Sequence, residues 1–340
     1  MEAGKDIAGQ VAPAAAIIKN GGIVAFPTET VYGLGANTFD AAAVARIFAA
    51  KKRPADDPLI VHVSNDSMVA NLVVPGAVGS TAQALMKAFW PGPLTLVFKK
   101  SPRVPDIVTS GLDTVAVRMP SHPVARAFIE RSGVPIAAPS ANLFEHPSPT
   151  RASHVLADLD GRIDAVIDGG DSNIGVESTI IDLTKKTPIL LRPGGIPLER
   201  IEAVVGQVDI HPSARGKAQE GAIESPGMKT KHYAPEATLV LVEGQRERVI
   251  EKIMALAKSA TGEAKKVAIL SCTMDIRVDG VICRRIGAND EQVARNLFST
   301  FREMDDLRVD IIFADCTTED GLGRAVANRL RKAADTIIKV

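Results

Sequence analysis

The sequence predicts an α/β protein of two domains, and three observations carry that expectation. At 340 residues, 46% of them apolar, the chain is long enough for two buried cores. Short apolar runs with period-two alternation recur between stretches whose apolar residues repeat at helical spacing. Across 208–235 this patterning lapses into Pro212, Ser213, Gly216, Gly221, Ser225, Pro226 and Gly227 among scattered charges, and from residue 236 it resumes as a regular strand–helix alternation. The expected organisation is a first domain over 1–207 with a mixed sheet, a linker or ordered crossing loop over 208–235, and a small parallel-type α/β domain over 236–340.

The elements follow in order. Residues 11–20 form a short amphipathic helix that Gly21-Gly22 ends. A strand at 23–26 is stopped by Pro27, which has no N–H for a ladder. Thr28, Glu29 and Thr30 then crowd the turn, and Gly33 and Gly35 are expected to supply positive φ and room for close approach. Residues 41–50 carry Val44, Ile47 and Phe48 at helical spacing and end at Lys51-Lys52-Arg53-Pro54. The strand at 59–63 puts Leu59, Val61 and Val63 on one face and His62 on the other. A helix at 82–89 is broken by Trp90-Pro91-Gly92-Pro93, and a strand follows at 94–98. In the strand at 114–119, Val115, Val117 and Met119 face the core while Thr114 and Arg118 share the opposite face, where a buried arginine needs a partner. A helix at 123–132 and strands at 135–138, 165–168, 175–182 and 189–192 complete the domain. The second domain is expected to hold strands at 238–242, 266–271, 281–286 and 309–314 and helices at 245–259, 290–306 and 322–336.

Composition excludes several classes. Basic and acidic residues number 40 each, and the balance holds in both parts: 19 against 20 through residue 207, and 21 against 20 beyond it. Neither part is a basic polyelectrolyte, which argues against sequence-blind nucleic-acid binding. Cys272, Cys283 and Cys316 form no Cys-x-x-Cys pair and suit buried thiols in a reducing compartment. The N-terminus lacks the apolar stretch of a signal peptide, and no apolar run reaches membrane-spanning length. The expectation is a soluble cytoplasmic protein with no membrane partner.

No Walker A, His-Glu-x-x-His, Gly-x-Ser-x-Gly or Gly-x-Gly-x-x-Gly pattern is present. Hydroxyls, amides and fixed cations remain at predicted strand ends: Thr30, Arg53, His62, Thr114, Arg118, Ser140, Asn142, Ser148, Ser178 and Arg192. Singly, each has a bland explanation as a turn former, a helix-end charge or a packed histidine. Together they suit an anionic ligand with sugar and phosphate groups. No carboxylate cluster suggests a protein-held metal, and a Mg²⁺ ion carried in on phosphates fits better.

Several stretches together resemble the Sua5/YrdC/YciO family: Pro27 to Gly35, Lys51 to Pro54 with Pro58 to His62, and Ser110 to Arg118, followed by Pro139 to Asn142 and Pro147 to Thr150. Glu177 to Ile180, Arg192 to Gly194, His232 to Pro235, and Gly321 to Gly323 with Asn328 to Leu330 extend the match over nearly the whole chain. The resemblance implies a YrdC-like twisted mixed sheet and a smaller Rossmann-like C-terminal domain. It implies a nucleotidyltransferase that converts L-threonine, bicarbonate and ATP to L-threonylcarbamoyl-adenylate, pyrophosphate and water. A separate transferase would then use that product to modify adenosine 37 of tRNAs reading ANN codons. By resemblance Thr30, His62, Arg118, Ser178 and the Ala138 backbone face threonine. Arg53, Asp57, Thr114, Ser140, Asn142, Ser148, Arg192 and Tyr233 face ATP, and Lys51, Arg53 and Arg118 form the catalytic set. Mg²⁺ comes with ATP, and no prosthetic group is implied. The linker is expected to cross the cleft and limit water entry, because the product is a hydrolysable mixed anhydride.

Two positions depart from the family pattern: Asp57 stands where asparagine is usual, and Phe144-Glu145-His146 precede Pro147 where Ser-Gly-Arg/Lys is common. The rival class is an RNA-binding, translation-regulating module, with weak RNA contact; the neutral charge disfavours it. A hydrogenase-maturation carbamoyltransferase would carry zinc-finger-like and acylphosphatase-like regions, which are absent from this sequence.

Overall fold

The computed structural model describes residues 6–216, 232–316 and 318–340. The chain divides into two compact units, one of residues up to Phe144 and from Ser148 on, the other of Glu145–Pro147 and the C-terminal part.

The first unit is built on a ten-stranded mixed sheet. Its strands are β1 (Val24–Phe26), β2 (Gly33–Asn37), β3 (Ile60–His62), β4 (Leu94–Lys99), β5 (Thr114–Arg118), β6 (Ile136–Ala138), β7 (Ala165–Val166), β8 (Thr179–Asp182), β9 (Ile189–Arg192) and β10 (Asp209–Ile210). They run in the order β10-β9-β8-β4-β5-β3-β6-β2-β1-β7. β3 with β5, β4 with β8, β1 with β7 and β9 with β10 pair in parallel; the other pairs are antiparallel.

Alternation along these strands creates two unlike faces. Val61, Leu94, Leu96, Phe98, Val115, Val117 and Ile181 join the large core with the helices. Their chain neighbours Ile60, Val97, Ala116 and Ile180, with Leu191, form a separate apolar cluster on the opposite face. Local chemistry sets the helix ends. Asp40 caps the Ala41–Lys51 helix by accepting from the amides of Ala42 and Ala43, and Lys52 ends it in the left-handed conformation. Pro123 opens the Pro123–Ser132 helix at its first turn, and Gly133 closes it at φ 70°.

The mixed sheet and most expected elements are present. Gly33 and Gly35 are a correction: neither takes positive φ, and both lie in β2. Their hydrogen side chains make room for packing, since a Cβ on Gly35 would lie 2.5 Å from Ile136 Cγ2 and 2.9 Å from the Phe26 ring. The expected strand at 175–182 begins only at Thr179. Helices at Asp66–Leu72, Ala152–Leu159 and Leu198–Val205 have no counterpart in the expected list. Of the stretch expected as a linker, Asp209–Ile210 pairs with β9 at the sheet edge and Pro212–Arg215 forms a 3-10 turn. Residues 217–231 lie outside the described residues.

The second unit holds an all-parallel sheet of β11 (Thr238–Glu243), β12 (Val267–Ser271), β13 (Ile282–Arg285), β14 (Ile311–Ala314) and β15 (Thr336–Lys339), in the order β13-β12-β14-β11-β15. Helices Arg246–Gly262, Asp290–Asp306 and Gly323–Ala333 connect them. The last helix stops at Ala333, short of the expected 336, because Thr336–Lys339 pairs with β11 as a fifth strand.

Candidate active site

The turn from Pro27 to Tyr32 is held on both sides by backbone bonds. Ile174 and Gly175 amides donate to the carbonyls of Glu29 and Thr30, the Tyr32 amide donates to Pro149, and the Ala141 amide donates to Tyr32. Thr28 Oγ1 lies 2.8 Å from Thr30 Oγ1 and 2.5 Å from the Val31 carbonyl. The Tyr32 hydroxyl donates to the Gly170 carbonyl at 2.7 Å, and burial pushes its pKa up to about 12. Three chain segments thus fix the three polar side chains of this turn.

Sheet register then brings a cross-strand row beneath it. Thr95 of β4 pairs with Arg118 of β5, and Arg118 pairs with His62 of β3. Arg118 is buried but well provided with partners. Its Nη1 donates to Thr30 Oγ1 at 2.8 Å, its Nε donates to the Gly92 carbonyl at 3.3 Å, and its Nη2 lies 2.6 Å from Glu29 Oε1. His62 lies edge-on to Phe26 with its Nδ1 3.2 Å from the Ile60 carbonyl. Burial first, then the Arg118 charge, push its pKa down to about 3, so the imidazole is neutral at physiological pH. Ser178 Oγ sits 2.7 Å from Thr95 Oγ1, and Arg192 donates through Nε and Nη2 to the Ser178 carbonyl and through Nη2 to its hydroxyl. Thr30, His62, Arg118, Ser178 and Arg192 are therefore one connected polar assembly. It lies at strand ends, as expected, with Arg118 closing β5, His62 closing β3 and Arg192 closing β9, and on one face, because in β5 the alternation sends Thr114, Ala116 and Arg118 to the same side. Ala138 closes β6, paired with Ile60, and Gly33 bridges Ser140 just beyond it.

The other expected cations are anchored differently. Lys51 Nζ donates to the Ser140 carbonyl at 2.5 Å and to that of Asn142, so this ammonium shapes the loop carrying those two residues. Asn142 Nδ2 donates to the Leu143 carbonyl at 2.5 Å. Arg53 Nη2 pairs with Asp57 Oδ2 at 3.0 Å and donates to the Pro58 carbonyl at 3.0 Å. The unusual Asp57 carboxylate thus turns onto Arg53. Ser148 Oγ donates to Glu177 Oε1 at 2.5 Å. Thr114 opens β5, partly exposed, two residues before Ala116. Tyr233 belongs to the second unit. There it holds φ 68°, its ring stacks on Phe298 at 5.5 Å, and the Arg329 guanidinium lies 5.2 Å from the ring centre.

Four polar members were not singled out from the sequence: Glu29, Thr28, Thr95 and Glu177. Thr95 alternates with core residues in β4 exactly as His62 does in β3, so strand phase would have found it. Glu29 stands in the quoted turn, but its bond to a strand 89 residues away leaves no local pattern. Among the described residues no group of three or more His, Cys, Asp or Glu gathers as a metal site, and no helix is long and apolar enough to cross a membrane.

Comparison with known proteins fits this arrangement. Residues 16–194 match the Sua5/YciO/YrdC family model, described as "Telomere recombination", and residues 196–335 match a model described as "Threonylcarbamoyl-AMP synthase, C-terminal domain". The threonylcarbamoyl-AMP synthase of Pyrococcus abyssi is 52% identical over 96% of this chain and 95% of its own. That of Bacillus subtilis is 46% identical over 96% and 93%. A solved structure of P. abyssi Sua5 complexed with L-threonine aligns with a TM-score of 0.93 at 51% identity, over 98% of this chain and 96% of that one. Matches of this extent across both units make the chain a member of the Sua5/YrdC/YciO family.

Proposed function

We propose that the chain is a threonylcarbamoyl-AMP synthase, forming L-threonylcarbamoyl-adenylate and pyrophosphate from L-threonine, bicarbonate and ATP. The observation that carries the reading is the buried Thr30–Arg118–His62 assembly, joined through Thr95 to Ser178 and Arg192 on one sheet face. Full-length relatives named for this activity support it.

Threonine is taken by Arg118, Thr30, neutral His62, Ser178 and the Ala138 backbone. The nucleotide is taken by Arg53, Thr114, Ser140, Asn142, Ser148 and Arg192, with Asp57 acting through Arg53 and Lys51 through the Ser140–Asn142 loop. The unprotonated amine of threonine attacks the carbon of bicarbonate, its C–N bond forming as a C–O bond breaks and water leaves, which gives the carbamate. A carbamate oxygen then attacks the α-phosphorus in line, its new P–O bond forming as the bond to pyrophosphate breaks. Such a step needs alignment and charge stabilisation more than a covalent nucleophile. Mg²⁺ arrives on the triphosphate, as substrate, and neutralises charge there; the arginines and hydroxyls of the site suit phosphate oxygens rather than the ion. A cytoplasmic location fits the product's use, a separate tRNA-modifying transferase being its consumer.

The test is ATP consumption with mass detection of the adenylate, leaving out threonine or bicarbonate in turn. The reading requires the product only when all three are present. Tight RNA binding in low salt without ATP, and no adenylate, would favour the RNA-binding alternative.

A further inference from the structure

We propose that Glu29 is the binding group for the substrate's ammonium, making Glu29 and Arg118 a matched receptor for an amino-acid zwitterion. The inference rests on the proposed assignment of threonine to this face and adds a residue outside the set expected from the sequence.

The argument begins with charge. An arginine alone in a buried pocket selects an anion, and any small carboxylate would satisfy it. Here the guanidinium does not stand alone: the Glu29 carboxylate lies 2.6 Å from its Nη2, and both side chains are buried. The pair is neutral, and so is a zwitterionic amino acid. Burying one against the other leaves no net charge out of water.

The second observation is that Glu29 has acceptor capacity to spare. Apart from the ion contact, neither of its buried carboxylate oxygens takes a hydrogen bond among the described residues. An ionised carboxylate accepts about four hydrogen bonds, and a buried acceptor left unsatisfied costs on the order of 1–3 kcal/mol. An ammonium, with three donors, is the complementary group. His122 is a titratable neighbour whose pKa burial lowers while the Glu29 charge opposes that shift, so it is not a permanent cation competing for the carboxylate. Backbone bonds from Ile174 and Gly175 to the carbonyls of residues 29 and 30 hold the carboxylate and the Thr30 hydroxyl in place before a ligand arrives.

A carboxylate serving only to hold Arg118 would look similar in a stability assay, so the test separates the two roles by ligand. Equilibrium binding of L-threonine is compared with that of 2,3-dihydroxybutanoate of matching configuration, which keeps the carboxylate and side-chain hydroxyl but replaces the ammonium with a hydroxyl. In the wild-type chain the preference for L-threonine is expected to be 100-fold or more. Glu29→Gln, of the same shape but without the charge, should reduce that ratio to below tenfold, chiefly by weakening threonine. Glu29→Asp should restore part of it. Retention of ATP binding by each variant checks that the fold persists. If Glu29→Gln weakens both ligands equally and the ratio stands, Glu29 only positions Arg118 and the inference is overturned. Failure of the wild-type chain to bind threonine would instead overturn the functional assignment beneath it.

Discussion

The two sheets of this molecule leave different surfaces for chemistry. In the five-stranded sheet every strand runs parallel, and residues of both phases in β11, β12 and β14 are buried, Leu239 and Leu241 as well as Val240 and Val242. Such a sheet has no polar face to offer. Its cavity, about 610 Å³, lies beyond the carboxyl ends of the strands, lined by Glu243, Arg246, Asp290, Asp315 and Arg331 among others. Arg331 there is taken up by Glu243 and Glu319, each at 2.6 Å. In the ten-stranded sheet, antiparallel pairing allows one face to carry the helix-packed core and the other to carry Thr95, His62, Thr114 and Arg118. Strand direction thus decides what a site is made of: loops beyond the strand ends in the second unit, and side chains of one sheet face, at the ends of β3, β5 and β9, in the first.

That contrast can be broken, and the largest effect is expected at Arg118. Arg118→Ala leaves Glu29 buried without its counter-charge, a loss of about 3–5 kcal/mol. Adenylate formation at limiting threonine should fall by two to three orders of magnitude; a fall of less than tenfold would mean that the sheet face is not the site. Next is Ile269→Ala in the second core, where a buried isoleucine costs about 2–5 kcal/mol. Denaturant titration should show that loss, while the folded fraction keeps its threonine affinity.

Gly35→Ala has a smaller effect, about 1–3 kcal/mol of overpacking, because the new Cβ meets Ile136 and the Phe26 ring. It should lower the midpoint of unfolding. The last effect is one of pH, and near neutrality it is small. His62 binds a proton near 6.5 in the unfolded chain and only near 3 when folded. The unfolded state therefore holds more protons between those values, and stability falls as pH drops through that window, with His62 contributing at most about 1.4 kcal/mol per unit. His62→Gln should flatten that part of the stability–pH curve.

Much of this was legible in the sequence where period-two alternation is strong. The shared face of Thr114 and Arg118 follows from five residues of β5, and the neutral charge balance speaks against a nucleic-acid surface. Legibility ended where structure depends on distant partners. β2 is Gly-Leu-Gly-Ala-Asn, a poor strand by propensity, and pairs because Phe26 and Ile136 need its missing side chains. β15 has no counterpart among the expected strands, the expected helix reaching only its first residue, and its four residues find a place beside β11. Lys51 reads as a helix-end cation, yet its ammonium reaches carbonyls about ninety residues on. Asp57 reads as a phosphate-side carboxylate, yet Arg53, four residues earlier in the same loop, claims it.

The most direct measurement is calorimetric titration of L-threonine into three proteins: the wild-type chain, Arg118→Ala and Arg246→Ala, the last altering the cavity of the parallel sheet. Saturable binding in the wild type that survives Arg246→Ala and disappears in Arg118→Ala is the predicted result. Binding that persists in Arg118→Ala and vanishes in Arg246→Ala would place threonine at the strand ends of the second unit and contradict the account.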